Sequence, residues 1–252
     1  MNLRFYFALN YCPKLKFGYG KGFVLLYSES MRYRLTTLFA ALAFLVVLGI
    51  ILFLIAGTIH LPSIWLYLGL HVAFTFVSVF AMSEDVARER LKPGKGAKPE
   101  PVYNIGTTIA WVSHIILAPL DLGRFHWSMG FPVWLNVLGA AVTLCGYGVV
   151  IWALRHNEYM SARIRIQDDR GQHVIDTGPY AFIRHPNYAG GFLVSLASGF
   201  VFGSWVSIPP MLLHMALFMY RTLQEEKVLF DELEGYREYA GRVRWRFIPK
   251  IW

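Results

Sequence analysis

The chain has 252 residues, 56% of them hydrophobic and only 16% charged, where ordinary soluble domains carry roughly 45–50% and about 25%; its mean hydropathy is positive, which excludes a soluble globular domain. The net charge of +8 lies beside apolar runs rather than in an aromatic-interleaved patch, which excludes nucleic acid as a partner and fits an anionic membrane surface. Two cysteines, Cys12 and Cys145, support neither a disulfide scaffold nor a cysteine metal site.

Residues 1–34 carry Arg4, Lys14, Lys16, Lys21, Arg32 and Arg34 against one acid, Glu29, and read as a basic arm. No small-residue cleavage pattern follows promptly, so a removed signal peptide is not expected. From Leu35 to Ser83 there is no Lys, Arg, Asp or Glu. That is too long for one crossing at about 20 residues, and His60-Leu61-Pro62-Ser63 breaks it into helices over 35–58 and 62–82. His71, in the second, is expected to be a neutral histidine bonded to a neighbouring helix, although an intramembrane ionisable residue is a functional candidate.

Glu84 to Glu100 is charged and contains Pro93-Gly94-Lys95-Gly96, so it is expected to be a solvated loop. A third apolar segment, 102–120, is weakened by Asn104, His114 and Pro119. An aromatic turn, Asp121 to Gly130, then leads into a fourth, 131–154. Gly139, Ala140, Ala141, Gly146 and Gly148 in the fourth are of the size that lets helices approach closely in lipid. Basic residues in the arm, in the 84–100 loop and after Arg155, with only Arg124 on the other side, place both ends of this four-helix unit in the cytoplasm.

The polar stretch from Arg155 then leads into Gly178-Pro-Tyr-Ala-Phe-Ile-Arg184-His-Pro-Asn-Tyr188-Ala-Gly190-Gly191. Pro179 and Pro186 remove backbone donors and push Gly178 and His185 away from helical geometry. The backbone here is therefore expected to be irregular, and a polar ligand would satisfy its open groups at the membrane surface. The alternative is a capping loop whose Arg184 snorkels to headgroups. Residues 186–220 again lack charge, with Gly203-Ser204-Trp205 and Ser207-Ile208-Pro209-Pro210 near the middle. This predicts a membrane hairpin, out from Tyr188 to Trp205 and back from Pro209 to Tyr220; a single tilted span would put Arg184 and the tail on opposite faces.

The tail begins as an amphipathic helix with Val228, Leu229, Phe230 and Leu233 on its apolar side. Arg221 and Glu225, four apart, are neighbours on one face, and alone would read as a surface ion pair. A basic Arg242-Val-Arg-Trp-Arg run ending at Pro249 predicts a tail folded back on the membrane surface. The expected fold is an all-α polytopic membrane bundle: an arm (1–34), a four-helix transmembrane region (35–154) and a C-terminal functional core (155–252) containing the hairpin.

His173-Val-Ile-Asp-Thr-Gly178-Pro-Tyr180, the Arg184-His-Pro-Asn-Tyr188 cluster with Gly190 and Gly191, then Arg221 with Glu225-Glu226, and Gly235-Tyr-Arg-Glu-Tyr239 with Arg242 and Pro249 together resemble the isoprenylcysteine carboxyl methyltransferase and phospholipid methyltransferase superfamily. The resemblance covers residues 155–252; the rest agrees only in being membrane helices. It implies a multi-pass enzyme of a bacterial inner membrane or endoplasmic reticulum, with its active site facing the cytoplasm. Such an enzyme transfers a methyl group from S-adenosylmethionine to a lipophilic small-molecule or prenylated acceptor among membrane lipids, without a metal. Carried over residue by residue, Gln167, His173, Val174, Ile175, Asp176, Tyr180, His185, Pro186, Asn187, Tyr188 and Glu225 would line the cofactor. Arg221, assisted by Arg184, would hold the acceptor, a guanidinium being able to grip a carboxylate with two donors. A carboxylate acceptor needs no general base; an amine would, and His185 is then the obvious candidate, although the resemblance makes it a cofactor-loop residue first. Three rivals stand beside the carboxyl methyltransferase: a phospholipid N-methyltransferase; an NADPH-dependent membrane sterol reductase, which also has an Arg-His-Pro-Asn-Tyr cluster; and a non-enzymatic transporter or scaffold, which would need polar residues spread through several spans rather than gathered at one end.

Overall fold

The computed structural model describes residues 21–252, with side chains from residue 31 onward. Eight α-helices follow in order: α1 Lys21–Ala56, α2 Pro62–Ala81, α3 Glu84–Leu91, α4 Pro101–Leu120, α5 Val133–His156, α6 Pro186–Phe202, α7 Ile208–Glu232 and α8 Tyr236–Arg242. Four stretches, Met31–Ala56, Pro62–Ala81, Pro101–Phe125 and Val133–His156, are long and apolar enough to cross a membrane. Large apolar side chains such as Phe39, Leu54, Ile105 and Trp134 stay exposed on their outer faces, as lipid contact requires. The expected arm lies outside the described residues up to residue 20, and from Lys21 the chain runs unbroken as helix into the first span.

Proline at the first turn starts α2, α4, α6 and α7, the position where its missing N–H costs nothing. Inside α4, Pro119 removes a ladder donor, and the chain beyond it widens into a π-helical turn, Asp121–Phe125. The expected aromatic turn is therefore partly helical. The 84–100 segment also differs from expectation. Ser83 accepts a hydrogen bond from the Val86 N–H at 3.3 Å, and Glu84 and Asp85 occupy the first turn, so cap and dipole together support α3. His71 donates from Nδ1 to the Tyr67 carbonyl of its own helix at 2.8 Å, not to a neighbour.

Helices α5 and α6 cross closely, where small residues meet. A Cβ on Gly190 would lie 2.6 Å from the Gly146 carbonyl oxygen, and one on Gly146 would lie 2.7 Å from that of Gly190. Gly139 sits equally tightly on the Phe200–Val201 backbone, whereas Gly148 faces open space. At one end of the bundle the buried Asp121 carboxylate accepts from the Ser128 N–H at 2.8 Å and from the hydroxyls of Ser128 and Ser204. Arg124 there donates to the carbonyls of Ile55 and Leu54. Together these bonds pin the α6–α7 turn to the ends of α1 and α4.

A helical hairpin forms over the charge-free run, although neither of its helices is among the four stretches long and apolar enough to cross a membrane. A short 3-10 turn, Trp205–Ser207, joins α6 to α7. The two helices run antiparallel, with Ser195 Oγ 2.8 Å from His214 Nδ1 midway. The return helix does not end at Tyr220 but continues to Glu232, so the amphipathic tail helix and the return helix are one element. Beyond α8 the tail folds back, with the N–H groups of Arg184 and His185 donating to the Trp245 and Arg246 carbonyls at 2.9 and 3.0 Å.

Candidate active site

The charged end of the bundle holds a cleft walled by the 157–188 segment, the lower half of α7 and α8. Gly178 opens the turn that feeds it. Its φ is +58°, and any Cβ would fall within 2.6 Å of the His156 ring, so only glycine serves there. Pro186 then begins α6, and the first-turn N–H groups of Asn187 and Tyr188 have no intrahelical acceptor. The irregular backbone expected across the motif thus ends at His185.

Of the residues expected to line a cofactor, the wall contains His173, Val174, Ile175, Tyr180, His185, Asn187, Tyr188 and Glu225, joined by Arg184 and Arg221. Three are placed elsewhere. Gln167 is buried behind the wall, where Nε2 donates to the Tyr159 carbonyl at 2.5 Å and Oε1 accepts from Arg170. Asp176 points outward into an exposed pair with Arg242 at 3.0 Å. Pro186 is buried as the start of α6.

Charge in the wall is organised in pairs. Glu226, one residue beyond Glu225, accepts from Arg184 Nε at 2.6 Å and Arg246 Nε at 2.6 Å, and lies 3.2 Å from His185 Nε2. Burial alone would raise its carboxyl, but hydrogen bonds from His185, Arg184 and Arg246 hold it down at about 2. Arg184 also donates through Nη1 to the Val243 and Arg244 carbonyls. The Arg184 side chain therefore fastens the tail to the cleft, and His185 faces a carboxylate already shared by two guanidiniums. In a second pair Arg165 grips Glu89 of α3 through Nε and Nη2 at 2.9 and 2.8 Å and reaches Asp169 at 2.8 Å. The hydrogen bond from Arg165 keeps the Glu89 carboxyl below its usual value, burial acting against it.

Arg221 does not pair with Glu225 four residues on. Its Nε and Nη2 bind the two oxygens of Glu100 at 2.7 and 3.2 Å, and Nη2 also donates to the Ala162 carbonyl at 2.7 Å. The Tyr103 and Tyr188 rings lie 4.6 and 5.7 Å from its guanidinium carbon. Only Nη1 is left for another partner, so the two-pronged grip expected on an acceptor is already taken by Glu100. Glu225 instead accepts a short hydrogen bond from the Tyr188 hydroxyl. Tyr236, in the same wall, has a buried hydroxyl with no partner among the described residues. Burial and the nearby Glu226 carboxylate push that phenol up, so it remains a donor.

Sequence reasoning missed several wall residues. Tyr159, Met160, Ile164 and Ile166 stand in a stretch read only as polar; their apolar character amid charge was the available signal. Leu229 and Leu233 were placed on the apolar side of the tail helix, and that side faces the cleft. Glu226 was visible beside Glu225. Glu100 carried no local signal, being one acid ahead of a distant helix. Among the described residues no cluster of His, Cys, Asp and Glu could hold a metal ion.

Residues 138–231 match the model of the isoprenylcysteine carboxyl methyltransferase family. Among solved structures, a eukaryotic intramembrane Ras methyltransferase, isoprenylcysteine carboxyl methyltransferase, is similar in fold: TM-score 0.53 at 18% identity, covering 91% of this chain and 85% of that one. No characterised protein matches at the level of sequence. The match falls on the methyltransferase side of the resemblance rather than on the reductase that shares the Arg-His-Pro-Asn-Tyr cluster.

Proposed function

We propose that this membrane protein, whose residues 138–231 match the isoprenylcysteine carboxyl methyltransferase family, transfers a methyl group from S-adenosylmethionine to a lipophilic acceptor at the cytoplasmic face. The observation that carries this reading is the hairpin. It brings Tyr188 and His185, at the start of α6, against Glu225 and Glu226 near the end of α7, so two polar patches far apart in sequence become one wall.

The residues fit the donor. Glu225, fixed by Tyr188, would accept from ribose hydroxyls or an ammonium group. The unpartnered Tyr236 hydroxyl and the first-turn N–H groups of α6 would donate to it. Tyrosine faces offer surfaces for an adenine, and Ile164, Val174, Ile175, Leu229 and Leu233 keep the interior apolar. When bound, S-adenosylmethionine supplies a methyl group on a positively charged sulfur that is a good leaving group. The chain then needs only to align the acceptor and exclude water, which Arg221 Nη1 and the apolar wall would do.

A carboxylate acceptor needs no proton removed. The pairing of Arg221 with Glu100 favours a second reading, in which the acceptor is a headgroup amine that first gives its proton to a base, His185 in the cleft wall being the candidate. The test is transfer of a radiolabelled methyl group from S-adenosylmethionine to total membrane lipid. Base-labile label identifies an ester and stable label an amine; no transfer, with no calorimetric binding of S-adenosylhomocysteine, refutes the methyltransferase reading. Arg221→Ala is expected to bind S-adenosylhomocysteine within about threefold of the parent while losing turnover by about 100-fold.

A further inference from the structure

Each arginine buried in the cleft wall has its own carboxylate, brought from a different element. Arg165 has Glu89 of α3, Arg184 has Glu226 of α7, and Arg221 has Glu100 from the residue just before α4. Glu225 differs from these acids. Its partner is the neutral Tyr188 phenol, and among the described residues no Lys, Arg or His forms an ion pair with it. Glu225 is the one acid that lines the cleft, and among the described residues it forms no ion pair.

Glu100 is not the only group that holds Arg221 in place. The Ala162 carbonyl and the Tyr103 and Tyr188 rings hold the guanidinium independently. Glu100 caps no helix with its side chain, and its remaining contact is a 3.3 Å hydrogen bond from the Ile164 N–H. Its side chain is only 10% exposed and that of Arg221 8%. A buried ion pair of this kind is poor evidence for a stabilising role, because desolvation offsets much of the attraction.

We infer that Glu100 is a counter-ion that cancels the charge of Arg221 so that the cleft accepts a positively charged sulfur ligand beside Glu225. This rests on the methyltransferase reading and extends it to a residue outside the motif. Without Glu100, Arg221 would present a bare guanidinium in the cavity that must take a sulfonium, and like charges in a partly desolvated site repel. Glu100 also turns the Nε and Nη2 edge of Arg221 away from the acceptor and leaves Nη1 as a single donor.

The experiment compares calorimetric affinities of detergent-purified protein for S-adenosylmethionine, which carries the sulfonium charge, and S-adenosylhomocysteine, which lacks it. Glu100→Gln is expected to weaken S-adenosylmethionine by about tenfold while S-adenosylhomocysteine changes by less than about twofold. Glu100→Asp, and Glu100→Gln combined with Arg221→Gln, should restore the parent ratio. Arg221→Gln alone should shift the ratio the other way, and this decides the matter if Glu100→Gln fails to fold. Equal weakening of both ligands, or an unchanged ratio in Glu100→Gln or Arg221→Gln, overturns the role of Glu100. A parent protein that binds neither ligand overturns the methyltransferase reading along with it.

Discussion

Replacing Glu226 with glutamine keeps the shape of the side chain and removes the charge that two arginines share. The carboxyl is held at about 2 against an ordinary 4.5, so its charged form is favoured over its protonated form by at most about 3 kcal/mol. Water at the open side of the cleft screens part of this, leaving about 2 kcal/mol. Glutamine mimics the protonated form and should lose that amount. What it would loosen is the tail, because Glu226 ties Arg246 to Arg184 beside the backbone bonds that dock residues 245–246 on 184–185. Local opening should therefore become about 30-fold more frequent, and tryptic cleavage after Arg244 and Arg246 at neutral pH correspondingly faster. The sign with pH follows from a depressed carboxyl: the contribution is complete above about 4.5 and is lost as pH falls toward 2. Parent and variant should accordingly converge in acid under a protease active there. Cleavage accelerated less than about threefold at neutral pH, or a gap that persists in acid, would refute the assignment of Glu226 as the hub of tail docking.

Glu225→Gln should lower affinity for S-adenosylhomocysteine by at least about tenfold, the worth of a charged hydrogen bond; unchanged calorimetric affinity removes Glu225 from the site. Gly190→Ala drives a Cβ to 2.6 Å from the Gly146 carbonyl and 3.0 Å from the Val150 nitrogen. It should cost about 1–3 kcal/mol, read as a lower midpoint of thermal unfolding in detergent, while Gly148→Ala, facing open space, should leave that midpoint in place. Cysteines introduced at Phe182 and Leu223, both exposed near the cleft end of the hairpin, should react with an impermeant maleimide from the same side of sealed vesicles. Labelling from opposite sides contradicts the folded-back hairpin.

The membrane class, the four crossings and the hairpin were written into the order of residues, because each depends on something local: a run without charge, a proline where a helix can begin, a glycine where two backbones touch. Lipid leaves a charge-free stretch of twenty residues few choices, so the four apolar helices of residues 35–156 could be divided from the sequence with small errors at the ends, whereas α3 and the π-helical turn between them were not foreseen. The motif from Gly178 to Gly190 was legible through its prolines and glycines, although Arg184, His185 and Tyr188 within it are held by the acids of α7. Which acid meets which arginine was not legible. Arg221 and Glu225 stand four apart and look like a pair, yet the tertiary structure sends Arg221 to Glu100 across 121 positions and leaves Glu225 to a tyrosine. Gln167 and Asp176 likewise lie within a residue or two of cleft-lining positions but point away from the cleft. Charge pairing acts through space at a few ångströms, so only the packing of α4 against α7, and of the tail against α6, could decide it.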